Sequence, residues 1–166
     1  MALRFQNLRT FLDFLEERDD LVRVQEVVDP RFEISEITDR TTKSGGPALL
    51  FENVRGFSLP VAINIYGSEQ RMAWALGAEH IDEVLERIDK LIKMAPPRSF
   101  AEKLGMLPRL KEIADVLPKQ VKKAPCQEVV VEPTSLAHLP ILTCWPQDGG
   151  PFITLGAGIT RHPESG

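Results

Sequence analysis

The stretch from Leu136 to Gly166 constrains the fold more than any other part of the chain. Two runs of alternating β-type residues meet there at Asp148-Gly149-Gly150-Pro151, a composition that turns tightly. The second run, Phe152 to Arg161, ends in another turn signal, His162-Pro163-Glu164-Ser165-Gly166. A strand entering such a turn pairs with the strand that follows it. No following strand is present, so the chain reads as ending in the middle of a domain. Phe152 to Arg161 is therefore expected as an edge strand with open N–H and C=O groups.

Upstream the pattern is mixed. Asn7 is a good helix cap, and Leu8, Phe11, Leu12 and Leu15 repeat at helical spacing. Leu21 to Val28 alternates as a half-exposed strand. Asp29-Pro30 predicts a helix start with Asp29 as cap, and Ile34 and Ile37 supply the inner face. Gly45-Gly46 predicts its end. Strands are expected over Pro47 to Val54 and Leu59 to Tyr66, then a helix capped by Ser68 that runs through Leu76. Ile81, Val84, Leu85, Ile88, Leu91 and Ile92 form the cleanest amphipathic stripe and are expected to face the sheet. Pro96-Pro97 stops that helix. Residues 98 to 123 read as short helices and connectors, and Cys126 to Glu132 as a strand. The order describes an α/β domain feeding an all-β domain.

Length and charge bound the function. A chain of 166 residues suits one domain, or a small one plus part of another. Net charge is −4 with acids and bases interspersed, which argues against a nucleic-acid partner, since that needs a basic stripe. The basic cluster Lys119 to Lys123 reads as a solvated linker rather than a lipid-binding patch. No apolar run approaches the ~20 residues of a membrane span, and Met1 to Gln6 lacks the apolar region of a secretory signal. Cys126 and Cys144 make no disulfide framework, so the expected setting is cytoplasmic, with reduced thiols.

Candidate sites are few. His80, His138 and His162 stand at no ligand spacing from one another, and no Cys-x-x-Cys occurs, so no metal residue is assigned. Gly156-Ala157-Gly158 lacks the rest of a dinucleotide fingerprint. Glycines inside a strand mark a bulge or the close approach of a backbone or ligand. Cys144 has no basic neighbour to activate it and reads as a packed thiol. Asp148 reads as a turn residue. Glu16/Glu17 and Asp19/Asp20 read as solvated. No catalytic residue is assigned.

Several segments carry a family resemblance. Leu139-Pro-Ile-Leu-Thr-Cys-Trp-Pro-Gln-Asp-Gly-Gly-Pro-Phe-Ile-Thr-Leu-Gly156 resembles the UbiD family of decarboxylases at the start of its flavin-binding domain. Asn7 to Leu12, Val28 to Arg40, Gly45 to Asn53 and Ala124 to Gln127 resemble that family's earlier segments, in the same order. Thr143-Cys144-Trp145-Pro146 most resembles the branch acting on 3-polyprenyl-4-hydroxybenzoate in ubiquinone biosynthesis.

The resemblance implies an α/β N-terminal domain followed by the first strands of a split β-barrel of the flavin-reductase type. Its boundaries would be 1–117 for the α/β domain with a helical connector, 118–125 for a linker, and 126–166 for the start of the barrel. It implies prenylated FMN and a divalent metal, manganese, in the full-length enzyme, with Thr154 as a cofactor-binding residue. The metal ligands and the acid–base network would follow Gly166, so this chain alone is expected to be inactive and to hold neither cofactor. Implied partners are an aromatic acid substrate, possibly polyprenylated, and a flavin prenyltransferase of the UbiX type as cofactor supplier. The full-length enzyme is expected to be a homo-oligomer, with contact at the inner face of the cell membrane as an option. A non-catalytic assembly domain and a redox flavoprotein with a related barrel stay open as alternatives.

Overall fold

The computed structural model describes residues 5–93, 114 and 121–166. Along the chain lie α1 (Leu8–Glu16), β1 (Leu21–Val28), α2 (Glu33–Lys43), β2 (Ala48–Val54), β3 (Val61–Ile63), α3 (Glu69–Ala75) and α4 (Ile81–Ile92). Two 3-10 turns follow, Pro125–Gln127 and Leu136–His138. The chain divides into two compact units, Met1–Leu15 with Tyr66–Thr134 and Glu16–Ile65 with Ser135–Gly166.

The second unit carries the sheet, in the order β1-β2-β3. β1 and β2 run parallel, which requires a crossover, and α2 supplies it. β3 returns antiparallel, pairing Leu49 with Ile63 and Phe51 with Val61. β2 is central, and Ala48, Leu49, Leu50 and Phe51 are all buried. That accounts for its continuous apolar run where an exposed strand would alternate. β1 alternates poorly because its register shifts between Val24 and Val27, as an inserted residue does. The core joins Val28, Ile34, Leu49, Phe51 and Val54 with Leu142.

Two expected boundaries move. Asp29 does not cap α2, which begins at Glu33. The backbone between them is committed elsewhere. Pro30 accepts from the Thr143 N–H at 3.2 Å, and the Phe32 N–H donates to the Thr143 carbonyl at 2.9 Å. Phe32 takes φ 72°. Asp29 Oδ1 instead accepts from the Arg31 N–H, while Glu33 Oε2 accepts from the Asp29 N–H. β3 is also shorter than the expected Leu59 to Tyr66. Asn64 turns to φ 59° and its amide donates to the Pro47 carbonyl at 2.8 Å, which ends the strand. Gly45 ends α2 as expected, at φ 68°.

The first unit is helical. Asn7 caps α1, its Oδ1 accepting from the Thr10 N–H at 3.0 Å, and Phe11, Leu12 and Leu15 are buried. Ser68 caps α3 through the Arg71 N–H. Phe5, Phe11, Phe14, Tyr66 and Trp74 form an aromatic cluster with neighbouring centroids 4.9–6.4 Å apart. The α4 stripe corrects an expectation. Leu85 is 56%, Ile88 47% and Ile92 78% exposed, so in this chain the stripe is not a buried face. The side chain of Leu91, and the connector expected over 98 to 123 apart from Ala114 and residues 121 to 123, lie outside the described residues.

The expected barrel strands are not formed among the described residues. Cys126 to Glu132 begins in the turn Pro125–Gln127 and continues without a strand, with Val129 and Val130 more than three-quarters exposed. Phe152 to Arg161 keeps a single bridge, Leu142 to Phe152. A lone strand has no ladder to satisfy its backbone, and isolated two-stranded pairings are marginal in water. The α/β expectation holds, in a small mixed three-stranded sheet; no split barrel is formed among the described residues.

Candidate functional site

Thr154, the one cofactor residue that the family resemblance implies, lies on an open cleft of the second unit. The cleft, about 250 Å³, is lined by Val61, Ala62 and Ile63 of β3, by Leu139 to Leu142, and by Phe152, Ile153 and Thr154. Two local devices hold these segments together. Leu142 is buried in the core, and its carbonyl accepts from the Phe152 N–H at 2.9 Å. Between them the chain loops back through a turn that Asp148 closes, its Oδ2 accepting from the Trp145 N–H at 2.8 Å. Trp145 then stacks on Phe152, centroids 6.4 Å apart.

The lining is apolar except for the Thr154 hydroxyl and the backbone, and none of its side chains is charged. Its volume falls below the ~300–1,000 Å³ of pockets that enclose a drug-sized ligand. An apolar wall with one hydroxyl suits the edge of a ring. It offers no cation to a phosphate, so the residues present do not by themselves fit a whole flavin mononucleotide.

The other candidates resolve simply. Asp148 is a turn residue, as expected. Cys144 is half-buried against the core. His162 Nδ1 accepts from the Glu164 and Ser165 N–H groups and closes the last turn. No cluster of three metal-ligating side chains occurs among the described residues. Gly156 and Gly158 meet no other segment: around a side chain at Gly156 only Ile153 would come close, and at Gly158 nothing.

Sequence reasoning missed a charged group. Glu16, read as solvated, chelates the Arg23 guanidinium at 2.7 Å through both carboxylate oxygens, and Arg23 also reaches Glu52 at 2.9 Å. The hydrogen bonds from Arg23 hold the Glu16 carboxyl below its usual range, and the two carboxylates raise the guanidinium further. The signal was present but faint, because Glu16 and Arg23 lie on different elements and meet only once β1 follows α1. A second cleft, about 230 Å³, lies in the helical unit beside Phe5, Phe11 and Tyr66.

Comparison with known proteins identifies the family. The 3-octaprenyl-4-hydroxybenzoate carboxy-lyase N-terminal domain matches residues 12–91, and the Rift-related domain of the same carboxy-lyase matches residues 119–166. The chain belongs to the UbiD family. An uncharacterized protein of Aquifex aeolicus is 44% identical over 100% of this chain and 35% of its own length. One of Archaeoglobus fulgidus is 44% identical over 99% of this chain and 34% of its own. The chain thus spans about a third of the length of the curated relatives it matches. Among UbiD-class structures, an evolved dimeric form of HmfF from Pelotomaculum thermopropionicum, in complex with prFMN, is similar at a TM-score of 0.71. It is 30% identical, covering 98% of this chain and 34% of that one. Vanillic acid decarboxylase of Sedimentibacter hydroxybenzoicus in closed form is similar at 0.64, 30% identical, over 90% of this chain and 29% of that one.

Proposed function

We propose that this chain is the N-terminal part of a prenylated-FMN-dependent, non-oxidative decarboxylase of aromatic acids. The proposed substrate of the whole protein is 3-polyprenyl-4-hydroxybenzoate, in ubiquinone biosynthesis. The observation that carries the reading is the match to HmfF with prFMN over nearly the whole chain, supported by two carboxy-lyase domains in the UbiD order. In the whole protein, residues 1–117 would make the α/β part with its connector, 118–125 the linker, and 126–166 the first strands of a split barrel once their partner strands are present. The second family domain begins at residue 119, close to the start of that proposed linker.

Loss of CO₂ from an aromatic acid leaves an electron pair on an sp² carbon. When bound, prenylated FMN supplies the electron sink for it. The role of this chain is structural around that chemistry. Val61, Ile141 and Ile153 give an apolar wall that excludes water, and the Thr154 hydroxyl sits at its edge as a hydrogen-bonding group toward the flavin. Phosphate, manganese and proton-transfer contacts come from the other two-thirds of the protein. A UbiX-type prenyltransferase supplies the cofactor. The whole protein works as a homo-oligomer in the cytoplasm, at the inner face of the membrane when its substrate is polyprenylated.

The test compares this chain with the whole protein that contains it. Each is incubated with prenylated FMN and manganese, and flavin absorbance is followed through size exclusion. CO₂ release is then measured from 4-hydroxybenzoates with and without a prenyl substituent. The whole protein should retain flavin and turn over; the 166-residue chain should do neither. Thr154→Val in the whole protein keeps the shape and removes the hydroxyl, and should weaken flavin retention several-fold, up to about tenfold, as loss of a neutral hydrogen bond does. A whole protein without decarboxylation overturns the reading. A variant that retains flavin like wild type removes Thr154 from it.

A further inference from the structure

The backbone at Phe32 is strained, and its neighbours keep it so. Phe32 takes φ 72° and ψ −38°, and the Glu33 N–H closes across it onto the Arg31 carbonyl at 3.0 Å. That is the γ-turn of positive φ, the rare and strained form. Glycine enters the positive side of φ at no steric cost, and asparagine at little. A bulky phenylalanine there is an outlier. Such strain persists only where surrounding contacts over-determine it.

Those contacts run to one distant residue. The Phe32 N–H donates to the Thr143 carbonyl at 2.9 Å, and the Thr143 N–H donates to the Pro30 carbonyl at 3.2 Å. Relaxing φ to the negative side would turn the peptide between Arg31 and Phe32, and with it that N–H, relative to α2. The grip on Thr143 therefore needs the strained turn. Thr143 leads on to the cleft. Leu142 beside it fills the core, and the Leu142 carbonyl accepts from the Phe152 N–H at 2.9 Å. Thr154 stands two residues further on.

We propose that Phe32 is a positioning residue: its strained turn fixes Thr143 and, through Leu142 and Phe152, sets where Thr154 stands. It acts through its backbone and not through its ring, which is half-buried with the Arg31 guanidinium 5.1 Å from its centroid. The inference rests on the reading of Thr154 as a group toward the flavin, and it adds what holds that group in place.

Hydrogen exchange at the Phe152 amide tests it, in the 166-residue chain and in the whole protein. Phe32→Gly and Phe32→Asn keep the N–H and accept the positive φ, so Phe152 should exchange no faster than in wild type. Phe32→Val keeps the N–H, but its branched side chain resists that φ, and exchange should rise. Phe32→Pro fixes φ near −65° and removes the N–H; exchange should rise about tenfold, as loss of one hydrogen bond allows. Proline is tolerated at the start of a helix, so α2 still forms and the amides of β2 should keep their wild-type rates. A packing role for the ring gives the opposite order, with Val nearest to wild type and Gly furthest, and that order overturns the proposal. So does a Phe152 amide indifferent to all four changes. Where the Pro variant fails to fold, the order of Gly, Asn and Val decides alone. In the whole protein the Val and Pro variants should lose flavin retention, and the Gly variant should keep it. Retention unchanged in variants whose Phe152 amide is loosened sinks this inference and leaves the functional reading standing. The expected order in a whole protein that takes up no flavin sinks that reading and leaves the grip on Thr143 standing.

Discussion

Glu16 shows how one residue's meaning changes with its neighbours. It is the last residue of α1, where a carboxylate meets the negative end of the helix dipole and is slightly unfavourable. Arg23 offsets this by chelating it. Because the bound carboxyl titrates below its usual value of 4.5, the folded chain takes up that proton less readily than the unfolded one. Its contribution to stability is therefore complete above the unfolded value and drains away as pH falls through the lower, folded value. Both side chains are near 40% exposed, so salt weakens the pair. Glu16→Gln should leave the melting temperature near neutral pH almost unchanged and flatten its fall on acidification. Wild-type and variant curves that stay parallel through the acid range would remove the pair from the account.

At the scale of elements, periodicity was a good guide where local rules dominate. α1 and α3 start at Asn7 and Ser68 because each side chain accepts a hydrogen bond from the first turn, a rule visible in one residue. β2 was expected over Pro47 to Val54 and runs from Ala48 to Val54. α2 was misplaced by three residues because its entry is set by Thr143, far along the chain, through hydrogen bonds to Pro30 and Phe32. α4 was legible as a helix, but its stripe says only that one side is apolar, not that anything covers it. Ile88 is 47% exposed, so Ile88→Ala should change the stability of this chain by no more than about 0.5 kcal/mol, as at other surface positions. A loss of ~2–5 kcal/mol in a denaturant titration would restore the buried face first expected. The barrel strands were readable as β-type sequence, yet a strand exists only when its partners do. Thr154 came from the family resemblance, and its surroundings in the cleft were not legible, since no local pattern places β3 beside Leu139 to Leu142.

Across the whole molecule, Leu142 ties late sequence to early structure. It is 6% exposed among Val28, Ile34, Phe51 and Val54, and the Thr143 backbone beside it pairs with Arg31. Leu142→Ala should cost ~2–5 kcal/mol, the range for emptying a buried leucine site, with loss of the cooperative transition as the readout. A cost near zero would mean that the sheet is complete without the late segment.

That latch also orders events in time. Its partners stand roughly a hundred residues apart, so closing it carries the entropy of a long loop. β1 and β2 are parallel and cannot zip from a tight turn either. A chain emerging from the ribosome would thus have every residue of α2 and the three strands in place before Leu142 exists to plug the core. For that interval the place that Leu142 fills beside Val28, Ile34, Phe51 and Val54 stands empty.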